Sequence, residues 1–221
     1  MKFYLEQRTL SDDVAKIIRK MILNGTLKPG ERLNQAQLAD ELNISRGPVR
    51  EAIKLLQNEG LVKHETNKGT FVTTLSLQDA YEIYTLRALL ESEAAQLASP
   101  FLTKKDFKRL EELLMELQDS FEKGDLEREA EIDTLFHKTI VEASKHQRLI
   151  HMHQQLDTQV GAMFLTIAHE LPQRATKVVE NHQLLLNVLK TKDQGEIKQL
   201  FSEHYTVALY ELTNFKKERG V

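Results

Sequence analysis

Asn34-Gln35-Ala36-Gln37-Leu38-Ala39-Asp40-Glu41-Leu42-Asn43-Ile44-Ser45-Arg46-Gly47-Pro48-Val49-Arg50-Glu51-Ala52-Ile53-Lys54-Leu55-Leu56 contains two short helical patterns separated by a tight turn. Asn34 with Gln37 makes a capping-box pattern, and Leu38, Ala39 and Leu42 share an inner face over residues 35–42. Asn43 suits a left-handed turn. Ser45 can cap a helix over 46–58, with Pro48 tolerated in its first turn. In that helix Val49, Ala52, Ile53 and Leu56 form an inward stripe, while Arg46, Arg50 and Lys54 recur every four residues on the other face.

The neighbouring segments complete a small domain. Residues 11–25 read as a first helix, with Ser11 as its cap, Val14, Ile17, Ile18, Met21 and Ile22 at helical spacing, and Gly25 at its end. Lys28-Pro29-Gly30 is a turn. After Gly60 come two β-type runs, Leu61–Glu65 and Thr70–Thr74, joined by Asn67-Lys68-Gly69 as a hairpin turn. From Ser76 onward the chain reads as helix. Ser76 with Asp79, Thr103 with Asp106 and Asp193 with Glu196 are cap-like starts, and Ser99-Pro100, Gly124-Asp125, Leu171-Pro172 and Lys192-Asp193 are breaks. About six helices are expected, near 76–98, 103–123, 125–144, 147–170, 173–191 and 194–215. The fold class is therefore mainly α. A winged helix-turn-helix DNA-binding domain with a small β-hairpin wing occupies residues 1–74, and an all-α antiparallel bundle occupies residues 75–221.

Composition limits the alternatives. The chain has 221 residues, 41% hydrophobic and 29% charged, enough for two cores and incompatible with global disorder. It has no Cys, which excludes disulfides, thiolate metal sites and cysteine nucleophiles. No apolar run reaches the ~20 residues that cross a bilayer. Met1–Glu6 lacks the apolar stretch of a secretory signal, so a cytoplasmic protein without membrane contact is expected. The net charge of −3 conceals an asymmetry: residues 1–74 carry +3 and the remainder −6.

A helix of ~12 residues fits the major groove of B-DNA. Arg offers a planar fork for guanine or phosphate, and Gly47 lets the backbone approach closely. Lys68 and Gly69 at the hairpin tip suit the adjacent minor groove. Three cations at this spacing alone favour a plain solvated helix face; the order helix, turn, helix, basic helix, hairpin shifts the balance to DNA. One such head covers few base pairs, so a homodimer on a near-palindromic operator is expected.

Gly25-Thr26-Leu27-Lys28-Pro29-Gly30-Glu31-Arg32-Leu33, Leu38-Ala39, Ile44–Ala52, Glu59-Gly60-Leu61-Val62 and Gly69-Thr70-Phe71-Val72 together resemble the winged-helix domain of GntR-type regulators. The resemblance implies DNA contacts for Arg46, Arg50 and Gly69, and a phosphate contact for Ser45. Asn43 stands where that family usually has Gly.

The later helices hold a second constellation. Asp133 and His137 are four apart, on a face with Ala130, Ile140 and Val141. His182 aligns with Val178, Leu185, Leu186 and Leu189, and His204 with Leu200, Phe201, Val207 and Ala208. Two readings fit: separate core histidines with local hydrogen bonds, or one divalent cation shared by all four. Three N donors and one O donor suit Zn²⁺, with Ni²⁺, Mn²⁺ or Fe²⁺ as alternatives. Leu86–Glu91, Asp133–His137, Glu180-Asn181-His182 and His204 resemble the FCD ligand-binding domain of one GntR subfamily. That resemblance implies one metal per chain on Asp133, His137, His182 and His204. It places the chain in the metal-binding branch rather than the acyl-CoA-sensing one. His146, His151, His153 and His169 match no ligand position and are read as surface or packing residues.

Arg87 has two readings. It forms a surface pair with Glu91 at i,i+4, or it points inward and binds the carboxylate of a small organic acid opposite the metal. The subfamily resemblance implies the second, since such regulators sense sugar acids, hydroxy acids and other small carboxylates. The expected function is a DNA-binding regulator, a repressor, modulated by such a metabolite. A metalloenzyme is the competitor, because a three-His, one-carboxylate site also activates water. Against it, the chain has no HExxH, GxSxG or Gly-rich phosphate loop. A purely structural metal is a third reading.

Overall fold

The computed structural model describes residues 9–74, 76–170 and 177–218. The chain divides into two compact units between residues 74 and 75. Ten helices and one two-stranded sheet are present among the described residues. Met1–Glu6, the Leu171-Pro172 break and the expected helix start at 173 lie outside them.

In the first unit, α1 (Leu10–Leu23) is capped by Thr9, and Ser11 lies inside the helix. Thr9 is the cap because the residue three positions on is Asp12, whose carboxylate accepts the Thr9 N–H at 2.9 Å. Ser11 has Val14 at that position and no such partner. α2 (Gln35–Glu41) starts at Asn34, whose side chain accepts the N–H groups of Ala36 and Gln37. The expected return bond from Gln37 is absent; its amide donates to Glu41 instead, at 2.8 Å. Asn43 takes the left-handed turn at φ 52°. Ser45 occupies the cap position of α3 (Arg46–Asn58) but makes no side-chain cap bond. Val49, Ala52, Ile53 and Leu56 are buried, and burial of Val49, Ile53 and Leu56 contributes about 1.5–3 kcal/mol each. Arg19 holds Glu59 bidentately at 2.9 and 2.6 Å, tying α1 to the end of α3.

The hairpin is β1 (Val62–Glu65) and β2 (Gly69–Val72), antiparallel, with Val62 opposite Val72 and Glu65 opposite Gly69. A further extended piece joins it. Arg32 bridges Phe71, with Leu33 N–H donating to Thr70 O at 2.9 Å and Val72 N–H to Glu31 O at 2.8 Å. Lys28-Pro29-Gly30 supplies the turn that brings this segment alongside, so the wing is clamped to the domain.

The second unit contains α4 (Leu77–Ala98), α5 (Lys104–Lys123), α6 (Leu126–Ala143), α7 (Gln147–Gln154), α8 (Asp157–Glu170), α9 (Val178–Thr191) and α10 (Gln194–Glu218). Capping boxes start α4 at Ser76 and α5 at Thr103. α10 packs along α4, α6 lies against α4, α5 and α8, and α9 joins α5 to α10. One core contains Leu110, Leu113, Leu117, Phe136, Leu186 and Phe201; a second contains Tyr84, Val160, Met163, Tyr205 and Leu212. The single helix expected over 147–170 is two, because the chain turns at Gln155 and Leu156. No Gly or Pro breaks it. Instead the His153 carbonyl takes the Leu156 N–H at 3.0 Å and a guanidinium N–H of Arg87 at 2.9 Å. That bond, from a residue 66 positions away, supports the turn and raises the described helix count to seven. Among the described residues no helix is long and apolar enough to cross a membrane.

Candidate DNA-reading face and candidate metal centre

On α3, Ser45, Arg46, Gly47, Arg50 and Lys54 are all exposed on the face opposite the apolar stripe. Glu51 stands among them, 3.4 Å from Arg50 and 3.0 Å from Lys54. These pairs are exposed and worth little, so a phosphate can displace Glu51. Lys68 is exposed at the hairpin tip, 3.3 Å from Glu65, and Gly69 adopts φ 119°.

In the second unit three helices bring Asp133, His137, His182 and His204 together, with one ligand atom from each within 4.8 Å of the others. Asp133 and His137 come from α6, His182 from α9 and His204 from α10. The first three are buried and His204 is half-buried. Asp133 Oδ1 lies 3.0 Å from His182 Nε2 and 4.0 Å from His137 Nε2. The two Nε2 atoms are 3.2 Å apart. The far side of each ring is committed. His182 Nδ1 lies 2.7 Å from the Val178 carbonyl, and His137 Nδ1 lies 2.6 Å from Glu91 Oε2. With both Nδ1 atoms turned outward, the two Nε2 atoms and the Asp133 carboxylate face one point. Two imidazole nitrogens that close need a proton or a cation between them. The donor set thus fits a divalent metal, and the cluster could hold one.

Behind His137 is a buried network. Glu91 accepts from the Tyr205 hydroxyl at 2.8 Å and meets His153 Nε2 at 2.9 Å and Arg87 Nε at 2.6 Å. Arg87 is fully buried and also reaches Asp157 at 2.9 Å. Burial by itself would raise the Glu91 carboxyl; His137 and Arg87 override it and hold it well below the ordinary value. Burial would likewise depress His137, but Glu91 raises it. Burial would raise Asp133, yet the bond with His182 lowers it.

The surface-pair reading of Arg87 is overturned, because the side chain has no exposure. Arg87 points inward, but Glu91 and Asp157 already share its charge, and it is not among the residues lining the adjacent cavity. A direct carboxylate contact is therefore not what this geometry offers. His153, set aside in the sequence as a surface or packing residue, is fully buried and bonded to Glu91. Its signal was available: Asp157 follows four positions later, 3.4 Å from Nδ1. His146 caps α7 by accepting the Leu149 N–H. The side chain of His169 is outside the described residues.

The cavity of about 60 Å³ beside the cluster is lined by Asp133, His182, His204, Asn181 and Tyr205, with Tyr84, Val160, Phe164 and Ile167 forming an apolar wall. One turn before Asp133, Glu129 is buried with Oε2 unpartnered among the described residues. Burial first, then Asp125 and Asp133, push its carboxyl up to about 7. A raised acid stabilises the fold below its unfolded value, and that stabilisation is lost as pH rises through about 7. In metal-free protein, Glu129→Gln should melt close to wild type at pH ~4 and above it at pH ~8, by roughly 1–2 kcal/mol after solvent screening. Thermal scans across that range check it; an unchanged difference at both ends would contradict the assignment.

A winged helix-turn-helix with an exposed cationic helix, followed by a helical domain with a cavity beside one Asp and three His, defines a DNA-binding transcriptional regulator. Residues 10–72 match the bacterial regulatory proteins of the gntR family, and residues 82–207 match the FCD domain. The chain belongs to the GntR family and carries an FCD domain. It is 32% identical to the HTH-type transcriptional regulator McbR of Escherichia coli over 88% of this chain and 89% of that protein. It is 30% identical to the regulator YdhC of Bacillus subtilis, covering 85% and 84%. The solved structure of E. coli McbR/YncC superposes with a TM-score of 0.77, at 30% identity, over 94% of this chain and all of that one. These families and relatives are transcriptional regulators, not enzymes, and GntR regulators bind operator DNA.

Proposed function

We propose that the chain is a cytoplasmic, homodimeric repressor. Its operator affinity is modulated by a small carboxylate bound at one divalent metal per chain, Zn²⁺ before Ni²⁺, Mn²⁺ or Fe²⁺. Asp133, His137, His182 and His204 are the ligands. The observation that carries this is the pair of facing Nε2 atoms, 3.2 Å apart beside a buried carboxylate. The metal would supply a Lewis-acidic centre with room to accept one further oxygen donor. Asn181 and Tyr205 line the same cavity; Asn181 would orient that donor, while the apolar wall excludes water. Arg87 serves from behind, holding Glu91 and through it His137. Repression needs only that an operator-bound dimer occupy the site. A relative 27% identical over 91% of this chain is the gluconate operon transcriptional repressor of B. subtilis.

Ser45, Arg46, Gly47, Arg50, Lys54, Lys68 and Gly69 would contact DNA. Arg46→Ala and Arg50→Ala are each expected to lose about 1–3 kcal/mol of specific binding, whereas Lys54→Ala mainly flattens the salt dependence. Fluorescence anisotropy on a duplex selected from a random pool checks this; unchanged selectivity in both Arg variants would sink it. The function as a whole is tested by adding a carboxylate panel to metal-loaded and metal-free protein on that duplex. Release only from the loaded form supports the reading. Release from both forms, or from neither, overturns it.

A further inference from the structure

A groove of about 390 Å³ in the first unit runs between the segment before α2, the start of α3 and the hairpin. Arg32, Asn34, Arg46, His64 and Gly69 line it. Arg32 was not a candidate from the sequence, where it sits between a turn and a helix. The fold fixes its backbone on the wing through the bridge to Phe71. Its side chain then crosses the hairpin at Gly69. A Cβ added there would lie 3.0 Å from Arg32 Nε and 3.3 Å from Nη2. The glycine at the wing tip therefore leaves the space that the guanidinium occupies.

The charges point the same way. Arg50 and Lys54 share Glu51, and Lys63 and Lys68 share Glu65. Neither Arg32 nor Arg46 has an acidic partner among the described residues, and both are exposed at one groove. Two unneutralised guanidinium groups at one groove attract an anion, and guanidinium forks match phosphate. Roughly half to two-thirds of protein–DNA hydrogen bonds go to phosphate and sugar, so an exposed cationic groove beside a recognition helix suits the DNA backbone.

We propose that Arg32 grips a backbone phosphate beside the wing, with Arg46 across the groove, and that Gly69 is also required to seat Arg32. This rests on the first unit being the DNA-reading head. Arg32→Ala then removes one phosphate contact per chain. The slope of log K against log salt falls by about 0.9 for each chain bound, and affinity drops about eightfold per chain near 0.1 M salt. The loss is the same on a mixed-sequence duplex and on a duplex selected from a random pool, because phosphate carries no sequence. Arg32→Lys keeps the slope. Gly69→Ala weakens binding in the wild-type background but adds little in Arg32→Ala. The backbone strain of Ala at φ 119° is present in both backgrounds and cancels, whereas the collision with Arg32 does not.

The experiment measures anisotropy titrations of the full chain at several salt concentrations for Arg32→Ala, Arg32→Lys, Gly69→Ala and the double variant, with Arg50→Ala as a control. An unchanged slope in Arg32→Ala, or additive losses for Arg32 and Gly69, overturns the proposal. If Arg50→Ala meanwhile loses preference for the selected duplex, the DNA-reading head stands without it. If wild type binds neither duplex, both fall. Should Gly69→Ala fail to fold, the slopes of the two Arg32 variants decide alone.

Discussion

Glu91→Ala is expected to destabilise the C-terminal unit by about 3–5 kcal/mol, the largest single-residue effect in the chain outside the apolar cores. Glu91 is the carboxylate on which four buried groups converge: His137 Nδ1, His153 Nε2, the Tyr205 hydroxyl and Arg87 Nε. Without it Arg87 keeps only Asp157 as a charge partner, at the edge of the network, beside the neutral His153 carbonyl, and a guanidinium is left largely uncompensated with no route to water. Breaking a buried pair costs far more than replacing it whole. The double variant Arg87→Met, Glu91→Leu should therefore recover much of the loss. Urea unfolding followed by a probe in the second unit measures both. A loss under about 1 kcal/mol in Glu91→Ala would mean that the network is a passenger. A double variant as unstable as the single one would show lost packing, not an exposed charge imbalance. Glu91→Gln, which keeps the shape, should fold and still bind metal about 10–100-fold more weakly, because His137 loses the partner that orients it.

The second large effect concerns the metal. Zn²⁺ at about a thousand times its dissociation constant should stabilise the folded chain by about 4 kcal/mol, and a chelator should remove that increment. His182→Ala deletes a ligand rather than its support. Its loss of affinity should exceed the 10–100-fold expected when an outer-shell partner is lost. In chelator the variant should melt near metal-free wild type, apart from the cavity left by the ring. His151→Ala, on the exposed side of α7, should bind metal as wild type does. Calorimetric titration with Zn²⁺ together with thermal scans gives both quantities. Equal affinity in wild type and His182→Ala, or no heat in either, would remove the ion from the proposed mechanism.

Much of this was readable along the chain. Helix starts follow local chemistry: Ser76 with Asp79 and Thr103 with Asp106 are capping boxes in the sequence and in the fold. The first helix starts at Thr9 and not at Ser11, because the Asp three residues after Thr9 completes the cap. The split of the 147–170 segment had no local mark, because an arginine on α4 binds the carbonyl where the chain turns. The fate of Arg87 was hidden for a related reason. A spacing of four shows that Arg87 and Glu91 share a helix face, but the depth of that face depends on α6, α7 and α10 closing over it.

By itself, the sequence determined what periodicity and short-range bonding control: a winged helix-turn-helix, a helical second unit, an outward cationic stripe on α3, and an Asp and three His on apolar helix faces. Spacings of three and four residues set these features, and they survive any arrangement of the helices. The tertiary structure alone decided which faces meet. It brought ligand atoms from three helices within 4.8 Å, placed His153 and Tyr205 on one carboxylate, and laid Arg32 across the glycine of the wing. Such contacts join residues tens of positions apart. Their physical basis is the burial of many apolar side chains at once, a property of the whole packed core that no local stretch of chain contains.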